Sequence, residues 1–409
     1  MKRALVIFCC AVMAVLRAAG STAEKPAAAG LTAEELNKLV GTPLFGETEL
    51  WQERPSAVIW RLNINCRADG MGAEQMFATK FSRTLFGCRA EEIRLFAADG
   101  RVKRVDIFFL NKGDSVDKKG KTVAAFRRQL RTDHHELEKL LDESFGGSQK
   151  AVLATAATKH QLPAWTTGRY ALLVDYSPDE YLIMHIVPPE SLGKKRDSEA
   201  PRIPERRSYA EHVKRTDSGD VYIADVPMVD QGRKGYCVPA TVERLTRYFG
   251  VTGVDMHKLA ERSNTGGSGG TTVKGMLRGV HKLLAGSGLQ VRSAGRLGKG
   301  TIADFVDRGL PLMWFHYSTP EFRKRIDQSI ASRGRATPEG WRKQLRRQRL
   351  VKKSTQGAHV ALIVGYNKKS GEVAISNSWG ERHRVAWVRY QDMEQVSQGG
   401  DLYVVVPRK

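Results

Sequence analysis

The chain has 409 residues, enough for two units that each bury a core, and carries a formal charge of +22. Its only long apolar run, Ala4 to Leu16, is too short to span a bilayer, so no membrane-spanning helix is expected. Cys9 lacks the small residue that precedes a lipidated cysteine, which argues against a lipid anchor.

The opening Met1-Lys2-Arg3, the apolar run and the small residues Ala18 to Ala23 together read as a signal peptide over residues 1–23, cut after Ala23. The expected location is secreted or periplasmic. Cys66, Cys88 and Cys237 would remain. An odd number in an oxidising compartment suggests a Cys66–Cys88 disulfide with Cys237 as a free thiol, although three unpaired cysteines satisfy the sequence as well. Loss of Lys2, Arg3 and Arg17 leaves a charge of about +19. That field suits nucleic acid, an anionic cell-wall polymer, an anionic membrane face or an acidic protein, and equally a solvated basic surface. No specific nucleic-acid motif is present.

A helix is expected from Thr32, where Thr32 and Glu35 make a capping box ahead of Leu36, Leu39 and Val40. Residues 56–64 alternate like a strand. Residues 92–111 read as a hairpin turning at Asp99-Gly100, and a second hairpin is expected over 169–187. Between them Val123, Phe126, Leu130, Leu137, Leu140 and Leu141 recur at helical spacing, and Gly146-Gly147 stops that helix. Residues 31–190 thus read as an α+β domain of unassigned role. A linker is placed at 191–219, where Gly193 to Ser208 is charged and contains Pro201 and Pro204. A second domain, 220–409, opens on a strand at Val221-Tyr222-Ile223. It continues through helices and finishes in strands near 359–366, 372–376, 385–390 and 402–406.

The chemistry gathers in the second domain. A cysteine attacks carbonyls as thiolate, and a free thiol with a pKa of about 8.5 needs help to ionise at neutral pH. Cys237 precedes Val238, Pro239 and a stretch with Val242, Leu245 and Phe249 on one helical face, which puts it at a helix N-terminus, where the dipole favours an anion. A buried structural cysteine would fit the same position. Gln231 stands six residues earlier across a glycine-bearing loop, from which its amide can reach a developing oxyanion together with the Cys237 backbone N–H. His359 opens the apolar strand Val360 to Tyr366, and Asn377-Ser378-Trp379-Gly380 ends the next one. Adjacent strands would bring the Asn377 amide to the imidazole and fix its tautomer.

Gln231, Cys237, the His359 strand ending Gly365-Tyr366, and Asn377-Ser378-Trp379-Gly380 together resemble the papain-like cysteine peptidases, over residues 226–409. The resemblance implies a helical subdomain plus an antiparallel sheet or barrel subdomain, behind a separate α+β domain. It implies that Gln231 serves the oxyanion hole, Cys237 is the nucleophile, His359 the base and Asn377 its orienter. Trp379 would shield the Asn377–His359 hydrogen bond from water. Gly269 and Gly270, within Gly266 to Gly270, match the wall where the family binds substrate backbone, although a flexible loop explains them too. Val238 stands where the family usually has tryptophan, so the chain is similar to a distant bacterial-type branch. Gln231-Gly232 also resembles the bacteriocin-leader peptidases, which usually carry aspartate where Asn377 stands.

The expected activity is hydrolysis of protein or peptide substrates through a Cys237 thioester, with no cofactor. A thiol transpeptidase or cell-wall amidase would use the same residues, and a silent binding protein would keep the fold and use its basic surface. Residues 321–353 form an insertion with twelve Lys or Arg against three acids, expected to be helical with Trp341, Leu345 and Leu350 inward. It reads as a lid, an anionic docking surface or a solvated helix. His134-His135 and the Cys66, Cys88 pair lack metal-ligand spacing, so no metal site is expected.

Overall fold

The computed structural model describes residues 31–66, 68–69, 74–116, 122–154, 159–193, 208–232, 235–251, 254–262, 280, 284 and 288–408. Helix α1 (Ala33–Val40) begins at the Thr32–Glu35 capping box and ends at Gly41 with φ +80°, burying Leu36 and Val40. The expected strand at 56–64 is instead helix α2 (Pro55–Arg61). Pro55 occupies the first helical position, where a missing N–H costs nothing, and Val58 and Leu62, four apart, face the core.

An eight-stranded antiparallel sheet follows, in the order β1-β2-β3-β4-β8-β7-β6-β5. Its strands are β1 (Ala68–Asp69), β2 (Glu74–Leu85), β3 (Cys88–Ala98), β4 (Arg101–Asn111), β5 (Gln149–Ala154), β6 (Lys159–Thr166), β7 (Ala171–Ser177) and β8 (Tyr181–Val187). Asp99 and Gly100 take φ +53° and +70° in the β3–β4 turn, the geometry that matches the strand twist. One helical turn, α3 (Lys112–Ser115), leads toward α4 (Val123–Phe145), which stops at Gly146 as its glycine pair indicates. Phe126, Leu130, Leu137 and Leu141 of α4 join Ile93, Val105, Ile107, Leu172, Val174, Met184 and Ile186 in one core.

The opposite face of this sheet holds Glu92, Arg94, Asp106, Phe108, Asp175, Ile183 and His185, all buried. The period-two pattern of an exposed sheet is therefore lost, because a second unit covers that face.

The second unit is a curled antiparallel sheet in the order β11-β16-β12-β13-β10-β9, with β14 beside β13 and β15 beside β14. Its elements are β9 (Val213–Arg215), β10 (Asp220–Ile223), α5 (Cys237–Tyr248), α6 (Met256–Arg262), β11 (Leu289–Arg296), α7 (Lys299–Asp307), β12 (Leu312–Tyr317), α8 (Pro320–Ser332), α9 (Pro338–Arg347), β13 (Ala358–Asn367), β14 (Glu372–Ser376), β15 (Ala386–Arg389), α10 (Tyr390–Val396) and β16 (Ser397–Pro407). Strands β11 and β12 lie between helices, so the order is interleaved rather than helices first and sheet last. Gly365 of β13 lies where a side chain would meet the Val221 carbonyl at 2.6 Å, which is what lets β10 pair there.

Every residue of α5 is buried. A helix covered all round must be enclosed, and α5 is packed between the two sheets. Two of its charged residues bond on opposite sides: Glu243 reaches Arg94 of the first sheet, and Arg244 reaches Ser376 at the end of β14. In the insertion, Trp341 and Leu345 are buried, whereas Leu350 is 48 % exposed, against its expected inward position. Leu350 lies beyond the end of α9, past the amphipathic register that turns Trp341 and Leu345 inward.

Candidate active site

Cys237 is the first residue of α5, with Pro239 two positions on, and its thiol lies against the head of β13. Burial pushes the thiol up, opposed by the backbone N–H groups of Val360, Val238 and Cys237 itself. The helix N-terminus thus acts as its sequence position suggests, while burial acts in the opposite direction and is the larger of the two effects.

His359 stands beside Val360, and its Nε2 lies 3.0 Å from Asn377 Oδ1. With the amide oxygen as acceptor, Nε2 carries the proton and donates, which leaves Nδ1 with the lone pair. Burial is the main cause that pushes the imidazole down to about 4; the Asn377 bond opposes it, and the Arg323 and Arg244 charges add to it. Asn377 is fully buried at the end of β14, its backbone N–H donating to the His383 carbonyl at 3.1 Å. The Trp379 ring lies 4.6 Å from the His359 ring.

Gln231 is held on two sides by Ser378. Its backbone N–H donates to the Ser378 carbonyl at 2.9 Å, and its Oε1 accepts from the Ser378 hydroxyl at 2.7 Å. The side-chain amide is therefore anchored by its oxygen, with its NH2 on the other edge of the amide plane. The structure thus brings Gln231, Cys237, His359, Asn377 and Trp379 together. Gly269 and Gly270 lie outside the described residues.

The Cys66–Cys88 disulfide is not formed, and both thiols are free. Cys88 starts β3 facing α4, its Sγ 3.5 Å from the Asp133 carbonyl, whereas Cys66 follows α2 and lines a cavity with Trp60. Burial raises Cys88 to about 12 and Cys66 to about 11.

Several residues of the site escaped the sequence reading. Arg244, seven positions after Cys237 and so on its helical face, donates from Nε to the Pro227 carbonyl at 2.7 Å and from its two Nη groups to the carbonyl and hydroxyl of Ser376. That i, i+7 spacing was the available signal. His316 lies directly across the β12–β13 ladder from His359, with the rings 5.2 Å apart, and stacks on Trp314 at 4.2 Å. A cleft of about 520 Å³ flanks the Gln231 and Trp379 side, lined from one sheet by Met76, Lys80 and Arg94 and from the other by Asp230, Gly380 and Arg384. Among the described residues no group of three His, Cys, Asp or Glu is placed to hold a metal ion, and no helix is long and apolar enough to cross a membrane.

Residues 223–398 match the profile of the Peptidase_C39 like family. Among solved structures the chain is similar to a C39-like peptidase from Bacillus anthracis, at 16% identity and a TM-score of 0.31, over 46% of this chain and 98% of that one. It is also similar to Xylellain, a cysteine protease from Xylella fastidiosa, at 13% identity and a TM-score of 0.32, over 50% of this chain and 90% of that one. No curated protein matches the chain.

Proposed function

We propose, from the match of residues 223–398 to the Peptidase_C39 like family profile, that the chain hydrolyses peptide bonds in protein or peptide substrates through a Cys237 thioester. The observation that carries this reading is the 3.0 Å contact of His359 Nε2 with Asn377 Oδ1 on the strand head that faces the thiol. That contact directs the lone pair of His359 to Nδ1, the nitrogen needed to receive a proton.

In the proposed reaction Cys237 passes its proton to His359 Nδ1 as sulfur attacks the substrate carbonyl carbon. Transfer within the pair creates two adjacent opposite charges, which burial penalises less than either charge alone. The oxyanion is met by the Cys237 backbone N–H and the Gln231 NH2, the latter aimed by Ser378. Collapse breaks the C–N bond, and His359 returns the proton to the leaving amine. Water, deprotonated by His359, then attacks the thioester, and the acid leaves as the thiol is restored.

The same reading places the mature protein outside the cytoplasm, with residues 1–23 removed after export, and makes its basic surface a contact for anionic polymer or acidic substrate. Turnover of a denatured-protein substrate that Cys237→Ala abolishes, with products gaining one water by mass, is the expected result. Ligated products would point to a transpeptidase, and equal behaviour of Cys237→Ala would remove the catalytic reading. N-terminal sequencing of the exported protein should begin at Glu24.

A further inference from the structure

The loop that carries Gln231 and leads into Cys237 is seated on the first sheet unit. Tyr236, immediately before the nucleophile, is 2% exposed, and its hydroxyl donates to Glu180 Oε2 at 2.7 Å. The other Glu180 oxygen takes the Lys112 ammonium. Gly113 of α3 lies so close to the Tyr236 ring that a methyl group there would stand 3.0 Å from it. At the other end of the loop Gly232, φ +73°, approaches Asp114, and a Cβ on Gly232 would lie 2.0 Å from Asp114 Oδ1. Asp114 is itself fixed by Lys80 at 2.7 Å and by Asn111 at 3.0 Å. Both ends of the segment Gln231 to Cys237 therefore rest on the turn after β4 and on Glu180 before β8.

The helices behind the loop are joined to the same unit through buried charge. Arg94, 2% exposed, pairs with Glu243 of α5 at 2.9 Å and with Asp255 at 2.7 Å. Asp175 pairs with Lys258 of α6 at 2.6 Å, and the Ser177 hydroxyl donates to Glu261 at 2.9 Å. Pulling the units apart would strand several desolvated ions at once. In contrast, the apolar cluster around Cys237 is drawn wholly from residues 209 onward. The first unit grips the loop and the backs of the helices rather than building the wall around the thiol.

We propose that residues 31–193 are a permanent positioning part of the active site, setting the loop between Gln231 and Cys237 through Glu180 and Asp114, and are not a propeptide to be shed. The inference rests on the peptidase reading for its rate effects only. Glu180 and Asp114 act through Tyr236 and Gly232 and are positioning residues. Burial, then the Glu180 carboxylate, keeps the Tyr236 hydroxyl protonated, so it remains a donor under all ordinary conditions.

The test uses the full chain. A specific protease site placed within 194–207 is cut, and the product is run on size exclusion at low and high salt. Co-elution of the halves with turnover retained is expected; separation with a gain in turnover would overturn the proposal. In parallel, Tyr236→Phe and Glu180→Leu should each lower kcat roughly ten- to a hundredfold with KM little changed, while Glu180→Gln, which keeps an acceptor oxygen, restores part of the loss. The iodoacetamide labelling rate of Cys237 should move with kcat in the same variants. If the parent shows no turnover, the peptidase reading fails while the labelling and co-elution results still decide the positioning role. Parental kcat and parental labelling in folded Tyr236→Phe and Glu180→Leu would refute it.

Discussion

Arg244 grips Ser376 by both its carbonyl and its hydroxyl, so the helix that starts at Cys237 is tied, two turns along, to the strand that ends just before Asn377. The same guanidinium holds the Pro227 carbonyl ahead of the Gln231 loop. Arg244→Met should leave buried acceptors at Pro227 and Ser376 unmet and cost about 3 kcal/mol in urea unfolding. Arg244→Lys should recover only part, because an ammonium cannot fork between three acceptors.

On the proposed mechanism the 3.0 Å contact of Asn377 Oδ1 with His359 Nε2 sets which ring nitrogen carries the proton. Asn377→Ala should lower kcat about a hundredfold while leaving KM close to parental. Asn377→Asp should instead favour the imidazolium, since a carboxylate beside the ring stabilises its charge, and should move the acid limb of the kcat/KM profile to higher pH. An unmoved limb would mean that Asn377 does not face the titrating group.

His359 also marks the acid stability of the fold. Its imidazole is pushed from 6.5 to about 4, chiefly by burial, so protons bind the unfolded chain more readily. The stability it contributes is complete above about pH 6.5, is lost as pH falls through about 4, and is worth about 3 kcal/mol. A His359→Gln variant should show a flatter unfolding free energy across that window in urea titrations.

The free state of the cysteines is checked directly. Unfolded, unreduced protein treated with iodoacetamide should carry label at Cys66, Cys88 and Cys237, and a linked Cys66–Cys88 peptide would contradict it. In the folded protein, labelling of Cys88 should stay slow into strongly alkaline pH, because burial raises that thiol to about 12.

Gly232→Ala combines a positive φ with a methyl group driven into Asp114. It should reduce turnover more than stability, since displacement of Gly232 carries the adjoining Gln231 away from the proposed oxyanion position. Relief by the double variant Gly232→Ala, Asp114→Gly would assign the effect to that contact.

The residues that the structure gathers around Cys237 carry local sequence signals: a cysteine ahead of a proline-started helix, a histidine heading an apolar strand, and Asn377-Ser378-Trp379-Gly380. The hairpin at Asp99-Gly100 and the helix ended by Gly146 were legible for the same reason. Segment 56–64 misled, because Val58 and Leu62 satisfy a helical face as well as alternation, and Pro55 decides between them. Strand β12, whose His316 faces His359, passed unread in an apolar run that periodicity cannot assign. Arg94 and Asp175 pair with Glu243 and Lys258, more than eighty positions away, and no local pattern announces such partners.

The enclosure of α5 also bears on the order in which the protein is made. Synthesis runs from the N-terminus, so the first sheet leaves the ribosome with Phe108, Tyr181, Ile183 and Arg94 facing water until α5 and α6 emerge to cover them. For that interval the nascent chain carries a sticky, charged face and an incomplete candidate site, because His359 and Asn377 are translated more than a hundred residues after Cys237.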